Sequence, residues 1–161
     1  MKKFKSHLLC CLLFITLSRS AIAQTSIENK FFSDINSIDV IINVEGDYAF
    51  CRVSQSDITS AVAYTLSNTP LKKIEKLSPD ALFMSFTAMN VTSKSNNSLG
   101  CAVATNAELW RRTNFKGSNN LVTVWSVNYL TVGIPGDIGV NVPHLAEKIM
   151  KEFISRWSQQ R

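Results

Sequence analysis

Alternation of apolar and polar residues marks four segments of the chain as β-strands. Residues 38–45 alternate cleanly apart from Ile41, which is typical of a strand with one buried face. Residues 81–92 and 99–110 repeat this pattern, whereas residues 121–132 are apolar on both faces, which is typical of a central strand. Because polar turns separate the last three segments, we expect them to form an antiparallel meander.

Two further segments have the 3.6-residue spacing of amphipathic helices. The first begins near Asp57, with Ser54 or Ser56 as its cap, and ends before Pro70. The second is predicted to begin at Pro143, because proline suits the first turn of a helix, and its apolar stripe continues towards the C-terminus.

The order of elements predicts an α+β fold. Residues 71–77 fit a helical turn better than a strand, although a short strand or a connector also fits, and residues 133–139 form a Gly/Pro-rich connection. The order is therefore β-α-β-β-β-α, for which the economical arrangement is a four-stranded, mostly antiparallel sheet with two helices packed on one face. We expect a single globular domain over residues 38–161, preceded by an arm or short helix over residues 24–37.

The first 23 residues have the features of an export signal. A lysine-rich start precedes a short apolar run, and Ala21-Ile22-Ala23 forms an A-x-A cleavage site. The run is too short for a membrane span, which needs roughly 20 apolar residues. We expect cleavage after Ala23 and residence in the bacterial periplasm. Cys10 and Cys11 lie early in the apolar run without a small residue before them, so we interpret them as parts of the leader rather than lipid-attachment sites.

Removal of the leader changes the charge of the chain. The full chain has 17 Lys+Arg against 12 Asp+Glu and a pI near 9.1, which taken alone invites a nucleic-acid-binding interpretation. Four of the basic residues and none of the acids lie in residues 1–23, so the mature chain has 13 basic and 12 acidic residues. A net charge of +1 gives bulk electrostatic binding of nucleic acid no support.

Two cysteines remain in the mature chain, Cys51 and Cys101. An even pair in an exported domain predicts a disulfide, whereas a redox-active dithiol would have the C-x-x-C spacing that is absent here. Two buried free thiols are the remaining alternative.

Residues suited to catalysis are scattered along the sequence. The mature chain has one histidine, His144, without the companion ligands of a metal site, and no serine lies in a nucleophile-elbow motif. Gly133, Gly136 and Gly139 follow neither phosphate-binding glycine pattern. The sequence therefore predicts no metal, no cofactor and no catalytic residue, and an enzyme is the less favoured class.

A small group of basic and aromatic residues is the candidate binding site. Trp110, Arg111, Arg112 and Lys116 lie in or beside the polar segment 111–120, which we expect to be a loop. Such a group suits an anionic partner, although three charges also suit a solvated hairpin end.

These observations favour a non-catalytic binding or accessory protein of the bacterial cell envelope, of which an immunity or inhibitor protein is one version. Its expected partner is another envelope protein or an anionic envelope component, with no nucleic acid and no membrane span in the mature chain. One alternative is a small periplasmic enzyme that uses acids and His144. Another is a subunit of a secretion, conjugation or pilus assembly machine, which would dock through its sheet edge or through an apolar arm leaving the core.

Overall fold

A five-stranded mixed sheet and two helices form the part of the chain that the computed structural model describes, residues 32, 34–74 and 79–160. In chain order the elements are β1 (Ser37–Gly46), α1 (Gln55–Ser67), β2 (Lys72–Lys73), β3 (Asp80–Thr92), β4 (Ser98–Phe115), β5 (Ser118–Gly133) and α2 (Pro135–Ser158). The α+β class is confirmed, as is the predicted meander, which is the antiparallel pairing of β3 with β4 and of β4 with β5.

The predicted four-stranded, mostly antiparallel sheet is wrong in strand number and in the direction of β1. The sheet order is β2-β1-β3-β4-β5, and β1 runs parallel to both of its neighbours. The cause is the connection through α1, because a chain that crosses one face of a sheet and returns beside the strand it left runs in the same direction. The additional strand, β2, consists of Lys72 and Lys73 alone, which is too short to show a hydrophobic period.

The core lies between one face of the sheet and the two helices. Every second residue of β3 from Leu82 to Ala88 is buried, as the predicted alternation requires. On the helix side, Ile58 and Val62 of α1 and residues of α2 pack against this face. The predicted cap of α1 is confirmed, because the Ser54 hydroxyl accepts a hydrogen bond from the Asp57 N–H at 3.3 Å.

The second helix begins earlier than its sequence predicts. It starts at Pro135 and holds Pro143 in its interior, so the predicted start at Pro143 is wrong. The apolar stripe explains the difference, because Ile138 and Val142 are buried and lie two turns and one turn, respectively, before Ala146. Burial of these side chains offsets the hydrogen bond that an internal proline cannot donate.

The hairpin between β4 and β5 is much tighter than the predicted loop over residues 111–120. The strands continue to Phe115 and from Ser118, which leaves only Lys116 and Gly117 in the turn. Both turn residues have positive φ, 52° and 80°, as a two-residue type I′ turn requires. Arg111 and Arg112 therefore lie in a strand and not in a loop.

The predicted disulfide is confirmed: Cys51 and Cys101 are joined, with their Cα atoms 5.7 Å apart. The bond ties the loop that follows β1 to the beginning of β4.

The segment that leads into β1 is anchored in the core where it is described. Phe32 and Ile35 are buried, the Phe32 ring lies 6.1 Å from that of Phe153, and the Trp157 indole N–H donates to the Ile35 carbonyl at 2.8 Å. These two residues do not belong to an arm that leaves the core. The predicted leader and residues 24–31 and 33 of the predicted arm lie outside the described residues.

Neither helix of the described part of the chain has both the length and the apolar character that crossing a membrane requires.

Candidate functional site

Both helices pack on the same side of the sheet, and we call the opposite side the open face. The register places one row of small polar side chains across its middle, contributed in turn by β1, β3, β4 and β5. These residues are Asn43, Ser85, Asn106 and Asn128. The row separates two regions of different chemistry, an aromatic and charged region near the β4–β5 turn and an apolar region at the disulfide end.

Glu108 is the acceptor at the centre of the aromatic and charged region. Its carboxylate accepts hydrogen bonds from the Asn106 amide at 2.9 Å and the Trp110 indole N–H at 2.7 Å. The bond from Asn106 and then that from Trp110 lower the pKa of Glu108, against a smaller opposing effect of burial. Glu108 is therefore ionised at neutral pH, which suits a fixed negative charge and not a general acid.

Trp110 is held on two sides. Its ring stacks on that of Phe83, with centroids 5.1 Å apart and planes inclined by 8°, and its N–H is bonded to Glu108. A stacked and hydrogen-bonded indole adds to the stability of the open face. One face of the Trp110 ring is thus unavailable to a ligand.

The predicted basic group is divided between the two faces of the sheet. Arg111 lies on the helix side, where its Nε is 2.6 Å from the Asp80 carboxylate and both side chains are largely buried. Arg112 is exposed and follows Trp110 on the open face of β4, and Lys116 is exposed in the β4–β5 turn. The structure therefore brings Trp110 and Arg112 to one face and directs Arg111 to the other.

His144 is an exposed residue of α2 with one acidic neighbour. Its side chain is 73% exposed, and its Nδ1 lies 3.7 Å from the Glu147 carboxylate. Lys151 and, to a smaller extent, His144 lower the pKa of Glu147. A groove of about 450 Å³ between α1 and α2 is lined by Glu147 and Lys151, among others, but not by His144. Among the described residues, no three His, Cys, Asp or Glu side chains are grouped as a metal site would require.

Exposed apolar side chains are concentrated at the disulfide end of the sheet. Nine of the twelve large hydrophobic residues that are exposed in the described part of the chain lie there, between 36% and 67% exposed. We call this surface the apolar end. Its residues are Tyr48, Phe50, Met89, Val91, Leu99, Leu130, Val132, Ile134 and Val140.

The strand directions explain why these residues lie at the same end of the sheet. One end of the sheet is formed by the C-terminal ends of β1, β3 and β5 and the N-terminal end of β4. The pairings of Gly46 with Ala88 and of Cys101 with Gly133 show this. The loop that carries Tyr48 and Phe50 is fixed there by the disulfide. Exposed apolar patches of this kind mark contact sites more often than isolated surface hydrophobics do.

Sequence reasoning missed the apolar end because it assigned residues 121–132 to a central strand. That prediction is wrong: β5 lies at the edge of the sheet. Its open-face residues Leu130 and Val132 pair across from Ala104 and Ala102, whose small side chains leave them uncovered. The sequence contained part of this signal, because a strand that is apolar on both faces leaves one apolar face uncovered when both helices pack on the other face.

Comparison with known proteins gives fold likenesses at low sequence identity. No protein-family model and no curated protein matches the sequence. A DUF330 protein from Xanthomonas campestris is 9% identical over 80% of this chain and 88% of its own, with a TM-score of 0.49. A PelC dodecamer from Paraburkholderia phytofirmans is 16% identical over 71% and 86%, with a TM-score of 0.42. The rare lipoprotein B from Shewanella oneidensis is 10% identical over 75% and 94%, with a TM-score of 0.35. At these values the likenesses assign no function.

Proposed function

We propose that this chain is exported to the bacterial periplasm and acts there as a non-catalytic binding or accessory protein of the cell envelope, with the apolar end as its contact surface. The partner is another envelope protein that presents an apolar patch. An immunity or inhibitor protein is one version of this function.

The observation that carries the proposal is the concentration of exposed apolar side chains at one end of the sheet. Leu99 and Val140 come from different elements and are 66% and 61% exposed, yet both lie at this end. A concentration of exposed apolar side chains of this kind, which includes the aromatic residues Tyr48 and Phe50, has the composition of a protein contact. His144 meets a single acid, so the alternative of a small periplasmic enzyme has less support from the geometry.

Two features support export. The sequence of residues 1–23 has the three regions of a secretory signal. The Cys51–Cys101 bond belongs to an oxidising compartment, because cytosolic thiols are kept reduced.

Quantitative capture from a periplasmic extract tests the function. The mature protein serves as bait beside a Leu99→Asp/Val140→Asp variant and a His144→Ala variant, and captured proteins are compared by mass spectrometry. We expect a specific protein to be captured by the wild type and by His144→Ala, and to be lost with the Leu99→Asp/Val140→Asp variant. Equal capture by all three baits would contradict the role of the apolar end.

A second candidate is contact with an anionic envelope component through Trp110, Arg112 and Lys116, with Arg111 fixing the strand from the other face. The exposure of Arg112 and Lys116 at the β4–β5 end favours it. Cosedimentation with anionic lipid vesicles tests this candidate, since Arg112→Glu/Lys116→Glu should abolish binding that the Leu99→Asp/Val140→Asp variant retains. Binding that both variants retain would overturn it.

A further inference from the structure

The two edges of the sheet differ in how well they are protected against pairing with another strand. One edge is β2, whose two exposed lysines pair with Ser37 and Ile38, and beyond it the rest of β1, which carries Asp39 and Glu45. Short, lysine-bearing edges of this kind discourage strand addition. The other edge is β5, whose 16 residues include no charged residue and no proline. Charged residues, which protect an edge, are therefore present along the edge formed by β2 and β1 and missing from β5.

A bulge divides β5 into two parts. Leu109 pairs with Trp125 and Trp110 with Thr123, so Val124 is the extra residue and the strand bends there. Beyond the bulge, residues 125–133 pair regularly with β4 and extend over about 30 Å. On this regular part, Leu130 and Val132 point to the open face and are each 67% exposed.

We propose that β5 pairs antiparallel with β5 of a second copy of this chain, through residues 125–133, and joins two sheets into one. An antiparallel pair of identical strands has two-fold symmetry, which is the commonest symmetry of soluble oligomers. Full overlap of residues 125–133 places the two-fold axis at Tyr129, so Leu130 of each copy lies diagonally across from Leu130 of the other copy, and Val132 lies opposite Ser126.

The absence of charged residues from β5 favours a second copy of this chain as its pairing partner. A two-fold contact brings two copies of the same strand together, so an edge whose charges are of one sign would repel itself, whereas β5 carries no charge to do so. The mature chain has 13 basic and 12 acidic residues, so long-range repulsion between copies is small as well. The sequence of β5 is apolar on both faces, which fits a strand that is paired on both sides.

The inference goes beyond the proposed function, because it assigns Leu130 and Val132 to a contact between copies. Tyr48, Phe50, Leu99 and Val140 remain for a different protein. The two proposals are therefore tested independently. If the protein does not self-associate, the rest of the apolar end can still capture another protein, and if no protein is captured, the dimer is not contradicted.

Sedimentation velocity of the mature, disulfide-bonded protein over a wide range of concentrations tests the proposal. We expect a reversible dimer, and we expect Leu130→Lys and Val132→Lys each to raise its dissociation constant about tenfold or more, because each substitution places a lysine on the pairing strand of both copies, and the two lysines at position 130 also approach each other near the two-fold axis. Tyr64→Lys is the matched control, since Tyr64 is 70% exposed on α1 and its replacement should leave the dimer unchanged.

Amide hydrogen exchange separates strand pairing from side-chain contact. Pairing predicts that amides within residues 125–133 exchange more slowly as the protein concentration rises, while those of β2 do not change. A monomer at all concentrations, a dimer that both lysine variants retain, or exchange in residues 125–133 that is independent of concentration would each overturn the proposal. Addition of a strand from another protein to a monomeric wild type would overturn it too.

Discussion

Gly139 shows how a single residue sets the position of α2. A Cβ atom added there would lie 2.8 Å from the Arg52 carbonyl oxygen, which is a backbone atom of the disulfide loop. Arg52 directly follows Cys51, and the Cys51–Cys101 bond limits how far this part of the loop can move away. The close approach of helix and loop therefore depends on glycine, and it holds the first turns of α2 beside Cys51.

We predict that Gly139→Ala destabilises the protein by about 1–3 kcal/mol, because the helix or the loop must shift to admit the methyl group. Gly136→Ala is the matched control: it lies in the first turn of the same helix with nothing within 4 Å of the added Cβ. It should stabilise the protein by up to about 1 kcal/mol through helix propensity. Urea unfolding measures both, and equal effects of the two substitutions would contradict the account.

Glu108 gives a pH-dependent prediction at the same scale. Hydrogen bonds from Asn106 and Trp110 lower the pKa of Glu108 in the folded protein. A lowered folded pKa adds stability that is fully present above the unfolded pKa, near 4.5, and is lost as the pH falls through the folded value. We therefore expect wild type to exceed Glu108→Gln in free energy of unfolding at pH 7, and this difference to shrink below pH 4.5. A difference that stays constant with pH would show that the carboxylate charge is not involved.

At the scale of the elements, the disulfide is the connection whose contribution is most easily measured. It closes a loop with a sequence separation of 50, for which chain entropy predicts about 4 kcal/mol of stability. We expect reductant to lower the free energy of unfolding by about this amount. The Cys51→Ser/Cys101→Ser variant is the control and should not respond to reductant. No effect of reductant on the wild type, or two free thiols in the native exported protein, would contradict the assigned bond.

Element positions could be predicted from the sequence wherever one local pattern decides them. The alternation in β1 and β3 and the Ser54 cap of α1 are of this kind. The parallel direction of β1 and the edge position of β5 could not be predicted, because both depend on how distant segments pair. The predicted start of α2 is wrong for another reason. Pro143 is a strong local signal for a helix start, but burial of Ile138 and Val142 extends the helix to an earlier start.

The candidate site was harder to predict than the fold, for a physical reason. The sequence indicated Trp110 and its basic neighbours, because tryptophan and arginine are the residues that contact sites favour. The apolar end is assembled from three strand ends, one loop and one helix start, and no short segment contains it. Most of its members are ordinary aliphatic residues, which only the three-dimensional structure shows to be exposed at the same end.

For the whole molecule, export predicts a defined N-terminus. We expect the protein isolated from its native host to begin at Gln24, because the signal is removed after Ala23. Intact-mass measurement and N-terminal peptide sequencing check this. As a control, replacement of both Ala21 and Ala23 by bulky residues should block cleavage. A native protein that retains Met1, or that begins at a lipid-modified Cys11, would contradict the leader assignment.

The most direct test of the central claim is site-specific photo-crosslinking in the native host. A photoreactive amino acid replaces Leu99 or Val140 at the apolar end, or Tyr64 on α1 as an equally exposed control. The account predicts that Leu99 and Val140 both crosslink to the same second protein of the envelope and that Tyr64 does not. Crosslinking from Tyr64 alone, or no adduct from either position at the apolar end, would contradict it.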